Sequence, residues 1–508
     1  MVTEQQFAAL AAACDRLLRA SDTSLGRLAI PLLHVVSGHP TSVAQYQTLL
    51  RPGAATEGRS HAALLGAARD GLRVVRGLAR AAWRSALVGE LGPARAIGSV
   101  DALLVSHLGN ADLLDPEDDF YFGALQRMLL ERGRTSLLVL VNHTLGDESA
   151  LHARATRPPP CARLLLRRAV RLPDEARLWV LCRRARRRLR QAAMVATSPL
   201  ERAVAGLASR RALSAHTAAN LRLHASIAWL SRLLRPKVVI TTHEGDASER
   251  MVWHAARAAV PETVCVGYQH TRLFAHSHAI RRSIGTPGCN GDPDVILTLG
   301  DVTHSMLAAS PGLGPVRLIS YGSHRRGAPT TPLERSARPR QCVVLPDADD
   351  GECSTLFGFA LECARRMPTM IFSLRPHPIV GFDVMRARHP WLRRLPDNVE
   401  ASERVSLDQE LARARYALHR GSSAAIYAVL AGLKPFYLAR PAEMTCDSLF
   451  ALAEWRETVS SPEDFIARVE ADEAQPQLLA AARAWRFCDR YIARLRPEAL
   501  DELLAMTR

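Results

Sequence analysis

Four short clusters in this 508-residue sequence combine residue types that can move protons or hold phosphate: His243-Glu244-Gly245, Gln269-His270, Arg375-Pro376-His377-Pro378 and Arg420-Gly421-Ser422-Ser423. Each follows a short apolar run, Lys237–Thr242, Val264–Tyr268, Thr369–Leu374 and Tyr416–His419 in turn. In an open α/β sheet, ligands bind beyond the carboxyl ends of the strands, so polar residues there carry a functional weight that the same residues lack elsewhere.

Glu244 is a carboxylate at a strand end beside Gly245, which admits a close approach, and it could take the proton from an attacking hydroxyl. The same glutamate could cap the following helix or pair with Arg250, and spacing leaves both readings open. His270 is equally open between binding phosphate, contacting an acceptor and satisfying a backbone carbonyl. The Gly421-Ser422-Ser423 turn precedes an apolar helix, bringing backbone N–H groups, two hydroxyls and a positive helix end to one small volume. That set suits a phosphate oxygen, although Ser-Ser before a helix also serves as a plain N-cap. Arg375 and His377 would add phosphate donors from the same half, with Arg420 beside them, and Glu352 is a further candidate for the cleft.

Other chemistries lack their signatures. His270, His276 and His278 share a loop, but no H-E-x-x-H occurs and the cysteines do not cluster, so no metal site is expected. There is no G-x-x-x-x-G-K-[ST], no G-x-G-x-x-G after the first strand and no G-x-S-x-G.

The elements that must position these clusters alternate between strands and helices. Residues 1–95 read as a helical extension, broken at Pro31, Gly38-His39-Pro40 and Pro52-Gly53. Residues 96–325 read as a first Rossmann-like half, with strands at Asp101–His107, Ser136–Asn142, Lys237–Thr242, Val264–Tyr268, Val295–Leu299 and Val316–Ser320. A helical insertion is expected over about 145–235. Residues 326–340 read as a linker, within a Pro- and Arg-rich stretch that starts near Gly322. A second half over 341–460 carries strands at Gln341–Leu345, Thr369–Leu374, Tyr416–His419 and Lys434–Leu438, and 461–508 read as helices. Crossovers of this length imply parallel, doubly wound sheets facing a central cleft.

The formal charge is +16, yet of 66 basic residues only Lys237 and Lys434 are lysines. Arginine spread through every segment points to genome composition rather than to a nucleic-acid footprint, and no specific nucleic acid is expected as a partner. The basic run Arg163–Arg190 reads either as a solvated helix face or as a surface for anionic lipid or an acidic acceptor. Cysteines inside apolar runs point to a reducing compartment, and no apolar stretch approaches the ~20 residues of a membrane span.

Taken together, an acidic-Gly pair in the first half followed by Arg-Pro-His-Pro and Gly-Ser-Ser in the second resembles the GT-B glycosyltransferases of bacterial surface polysaccharide synthesis. In particular it is similar to the group of capsule Kdo transferases and bacterial sialyltransferases, over about residues 100–445. The resemblance implies Glu244 as base, His377 with Pro378 as the nucleotide-binding pair, and Ser422 with Ser423 on the phosphate. It departs from the family at His243, where the acidic pair has its first member, and at Tyr427, where many members carry a ribose-binding glutamate. The segments Val105-Ser-His-Leu-Gly109, Asp119-Phe-Tyr-Phe-Gly123 and Gly267-Tyr-Gln-His270 also resemble a branch of surface-carbohydrate biosynthesis proteins.

The resemblance implies an inverting, metal-independent transferase without a cofactor, using a nucleotide-sugar co-substrate, CMP-linked being one form. Its partner would be a glycan or lipid-linked acceptor, and its place the cytoplasm, with peripheral contact at the inner membrane through about 163–190. A polyol-phosphate transferase, a sugar-nucleotide epimerase, or a non-catalytic scaffold of envelope assembly would fit the same framework.

Overall fold

A computed structural model describes residues 2–50, 72, 74–79, 81–83, 92–144, 146–285, 290–326, 335–377, 381–402, 406–441 and 443–506. The sequence divides between two parallel sheets. The first contains β1 (Ala102–Leu108), β2 (Ser136–Asn142), β3 (Cys161–Leu166), β4 (Val238–Thr242), β5 (Val264–Tyr268), β6 (Val295–Thr298) and β7 (Arg317–Ser320), in the order β3-β2-β1-β4-β5-β6-β7. The second contains β8 (Gln341–Leu345), β9 (Ile371–Leu374), β10 (Val399–Ala401), β11 (Tyr416–His419), β12 (Lys434–Leu438) and β13 (Glu457–Val459), in the order β10-β9-β8-β11-β12-β13. Both are Rossmann-like, doubly wound sheets that reverse direction of winding once, between β1 and β4 and between β8 and β11.

The central strands are buried along their whole length, β4, β8, β11 and β12 at every residue. Helices on both faces exclude water from them, which is why they read as unbroken apolar runs rather than as alternating ones. Registers align the ends: Ala102 pairs with both Ser136 and Val238, and Tyr416 with both Cys342 and Lys434. The polar residues that follow each strand therefore emerge at one edge of each sheet.

Two expectations are corrected. The segment 145–235 is not purely helical, because Cys161–Leu166 forms β3 and the helix Ala215–Leu234 is the crossover that enters β4. The basic run is split accordingly: Arg163 lies buried in β3, donating to Ala155 O and Leu114 O, Arg167, Arg168 and Arg171 lie between β3 and the next helix, and the arginines from Arg177 onward lie on that helix, Leu172–Val195. The carboxyl-terminal helices also divide. Pro462–Ala474 places Phe465 and Val469 in the core of the second sheet, whereas Leu478–Tyr491 and Pro497–Ala505 return to pack with β1, β4 and β5 in the core of the first. The amino-terminal helix Glu4–Arg19 shares a core with the helices Leu172–Val195 and Pro199–Arg211, so extension and insertion form one packed unit. The expected linker falls largely at 327–334, outside the described residues.

Candidate active site

The two places where the winding reverses face each other across a cavity of about 350 Å³. Its wall draws Glu244 and His270 from the ends of β4 and β5, and Asp347, His377 and Ser423 from the ends of β8, β9 and β11. The amino-terminal extension adds Ser37, His39 and Thr41.

Local chemistry explains why Glu244 opens into this space. The turn that leads into the helix Ala247–Ala259, with Asp246 at its N-cap, has buried N–H groups to satisfy, and Glu249 does this by folding back. Its carboxylate accepts from the backbone N–H of Glu244 (2.6 Å), Gly245 (2.8 Å) and Asp246 (3.0 Å), and contacts His243 Nδ1 at 2.9 Å. Arg250 is paired with Asp292. Glu244 thus neither caps the helix nor pairs with Arg250, and its carboxylate lies 3.3 Å from His270 Nε2, with 42% of the side chain exposed to the cleft. Burial of its remaining surroundings pushes this carboxyl up to about 8, reinforced by Asp246, Glu249 and Asp347 and opposed by Arg272. The same burial holds His270 down at about 3, so its imidazole is neutral. His270 stands edge-on to Tyr121 at 4.9 Å between centroids. Tyr121 is in turn fixed by Asp119, which accepts the Tyr121 and Phe122 N–H groups and the Ser106 hydroxyl.

Three neighbours named from the sequence are structural instead. His243 is fully buried beside Trp253 and bound to Glu249, away from the cleft. Gly245 has φ +99°, and a Cβ there would lie 2.6 Å from Ala279 Cβ and 2.7 Å from Ile280 N, so the close approach it permits is by the chain itself rather than by a ligand. Gln269 is buried between β5 and β6, donating to Thr271 O and accepting from Leu299 N–H.

In the second half the strand-end residues separate in the same way. Arg420 is buried and held by Glu352 (2.6 Å), Glu443 (2.7 Å) and Leu438 O (3.0 Å), which removes Arg420 from the phosphate-binding candidates and Glu352 from the cleft candidates. Arg375 donates to Glu410 at 2.7 Å and to Ser402 at 3.3 Å, outside the cavity lining. Ser422 is buried, its hydroxyl accepting from Ala424 N–H and its carbonyl from Ser448. Ser423 precedes the helix Ala424–Leu430 without capping it through its side chain, and lines the cavity with His377 and Tyr427. Burial lowers the His377 imidazole, with Arg272 and Arg325 acting in the same direction and Asp347 against. Gly421, at φ +73°, meets His39, whose Nε2 would lie 2.8 Å from a Cβ there. Pro378 lies outside the described residues.

Several lining residues escaped the sequence reading. Asp347 sits just past β8 and follows the strand-end rule that singled out the others. Arg272 donates to it at 2.6 Å across the cleft and lies over the Phe274 ring at 4.6 Å. Arg325 stacks on Phe120 at 4.1 Å from the stretch read as leading into the linker, and His39 comes from a turn read only as a helix break. Apart from Asp347, these positions become visible only when distant segments are brought together.

Among the described residues one trio, His39, Glu352 and Cys446, brings potential metal-ligating atoms within 4.8 Å of one another. Arg420 already binds both oxygens of Glu352, which places a guanidinium where a cation would stand. His276 and His278 diverge instead, to Glu4 and Asp15 on the amino-terminal helix.

No family model matches the sequence, and no curated protein matches it. Solved structures of similar architecture include a glycosyltransferase of kitacinnamycin (14% identity, 80% of this chain and 99% of that chain, TM-score 0.45). They also include the glycosyltransferase SnogD from Streptomyces nogalater (17%, 81% and 100%, 0.43). A third is a putative UDP-N-acetylglucosamine 2-epimerase from Listeria monocytogenes (10%, 80% and 95%, 0.46). At such identities no residue role passes from them to this chain.

Proposed function

We propose that this chain is an inverting glycosyltransferase of the GT-B kind that moves a sugar from a nucleotide donor to a cell-surface glycan or lipid-linked acceptor. The observation that carries the reading is Glu244, a carboxylate with a raised affinity for protons that opens into a cavity between two Rossmann-like halves. A base that titrates near the working pH is matched to taking a hydroxyl proton. In the reaction, the acceptor hydroxyl gives its proton to Glu244 and its oxygen bonds to the anomeric carbon. The bond from that carbon to the nucleotide phosphate breaks, and its electron pair leaves with the phosphate.

His377 and the Ser423 hydroxyl line the opposite side, the guanidinium groups of Arg272 and Arg325 reach the same cavity from the first half, and these groups would stabilise the charge that develops on the leaving phosphate. His270 and Tyr121 would orient Glu244 and the incoming hydroxyl. The exposed Arg183, Arg184, Arg187 and Arg190 on the helix Leu172–Val195 support contact with anionic headgroups, which would bring a lipid-linked acceptor within reach. Among the described residues no helix is long and apolar enough to cross a membrane.

Glu244→Gln keeps shape and removes the base. Transfer should fall by roughly 10²–10⁴-fold while donor binding by calorimetry stays intact, and undiminished transfer overturns the assignment. Product analysis in the same assay separates transfer from epimerisation of the donor.

A further inference from the structure

The turn Gly38-His39-Pro40 belongs to neither sheet, yet it touches both halves. Gly38 N–H donates to His276 O at 3.0 Å, and Ser37 forms a bridge with Ser277, which fixes the turn to the first half. The His39 ring packs against Phe274 at 5.3 Å, and its Nε2 edge meets Gly421 of the second half. Thr41 N–H donates to His39 Nδ1 at 3.3 Å and the Thr41 hydroxyl lies 2.7 Å from the same nitrogen; both can donate to an unprotonated Nδ1, and the Asp347 carboxylate beside Nε2 favours the tautomer with its proton there. That Nε2 lies in a residue only 3% exposed, has no hydrogen-bond partner, and stands 3.4 Å from Asp347 Oδ2.

Asp347 has acceptor capacity to spare. Its Oδ2 takes Arg272 and its Oδ1 takes Ala348 N–H at 2.9 Å, which leaves a lone pair on each oxygen. Although burial alone would raise it, Arg272 and His39 keep this carboxyl below its ordinary range, so it is ionised at neutral pH. An N–H donor beside an ionised carboxylate is matched to a hydroxyl, which accepts from the first and donates to the second. A phosphate would be repelled by Asp347, and a cation would face both an N–H and the Arg272 guanidinium.

We propose that His39 Nε2–H and the Asp347 carboxylate form a hydroxyl-binding site for a sugar ring, the ribose of a nucleotide or the sugar that it carries. The proposal rests on the sugar-nucleotide reading of the cleft and deepens it. It assigns the amino-terminal extension a direct share in the site, and it gives the second half a sugar-facing carboxylate although Tyr427 is no carboxylate.

The test is calorimetric titration of the full chain with CMP, CDP, UDP, GDP and ADP, and with UDP-glucose, GDP-mannose, ADP-glucose and CMP-sialate. The expected result is that whatever ligand the wild type binds is bound at least about tenfold more weakly by His39→Phe and by Asp347→Asn. His39→Gln, which retains an N–H donor, should recover part of the loss. Weaker binding of the free nucleotide identifies the ribose, and weaker binding of the conjugate alone identifies the carried sugar. The 2′- and 3′-deoxy forms of the bound nucleotide read the ribose arm on the wild-type protein, without any substitution. Full affinity in a folded His39→Phe variant overturns the proposal and leaves the functional reading standing. No binding of any ligand by the wild type overturns both.

Discussion

His243 and Glu244 are adjacent in sequence, and each takes part in a histidine–carboxylate contact, His243 with Glu249 at 2.9 Å and Glu244 with His270 at 3.3 Å. The first contact is sealed against Trp253, and its carboxylate is saturated by three backbone N–H groups. In the second contact the carboxylate faces an open cavity, and its side-chain neighbour within hydrogen-bond range among the described residues is a neutral imidazole. The second half repeats the contrast between Arg420, closed in by Glu352 and Glu443, and Ser423, which faces the cavity. What separates a structural from a functional residue at a strand end is therefore whether the local backbone and counter-charges have already used it.

That comparison can be broken first at Arg420. Removing a fully buried guanidinium leaves Glu352 without its cation and Glu443 with Arg440 alone, so Arg420→Met should lower unfolding stability by about 3–5 kcal/mol. A loss within a few tenths of a kcal/mol in a denaturant titration would show the pair to be replaceable. A smaller effect is expected at Gly245, where φ is +99° and a Cβ would meet Ala279 and Ile280. Gly245→Ala should cost roughly 1–3 kcal/mol by the same measurement, whether or not any ligand is bound, because the contact is internal. If the cost instead appears only as weakened ligand binding, the glycine serves the cleft.

The smallest effect concerns the stability of Glu244 itself. Its folded-state pKa, at about 8, lies above the ordinary value of 4.5, so the folded protein holds a proton that the unfolded chain has released between those values. Its contribution to stability is thus present below about 4.5 and is lost as pH rises towards 8. Glu244→Gln should therefore raise the unfolding temperature at pH 8 and leave it unchanged near pH 4. Because the side chain is part-exposed, solvent screening limits the gain to about 1 kcal/mol or less. A variant that is less stable than the wild type at pH 8 would mean that the carboxylate is structurally engaged after all.

The central strands were legible because burial on both faces gives them continuous apolar runs; β2, β5, β8, β11 and β12 have the bounds that those runs suggest. The strands that were not legible, β3, β10 and β13, are all at sheet edges. There β3 carries Arg163 within a Leu- and Ala-rich segment, and β10 and β13 are three residues long with a glutamate each. The site was legible only as a set of strand ends. Sequence spacing cannot show that Asp246 and Glu249 would form the cap and leave the Glu244 carboxylate free of it, or that Arg420 would find two carboxylates from Glu352 and Glu443. Nor can it bring His39, more than 300 residues upstream of Gly421 in the numbering, into contact with that glycine.

The most direct test of Glu244 as the base is the pH dependence of kcat/KM for transfer, or for release of nucleotide from the donor when no acceptor is supplied. The rate should rise with pH along a single limb with its midpoint near the carboxyl's value of about 8, and Glu244→Gln should be slow and lack that limb. A wild-type profile that is flat from about pH 6 to 9, or a limb that persists in Glu244→Gln, would contradict the assignment.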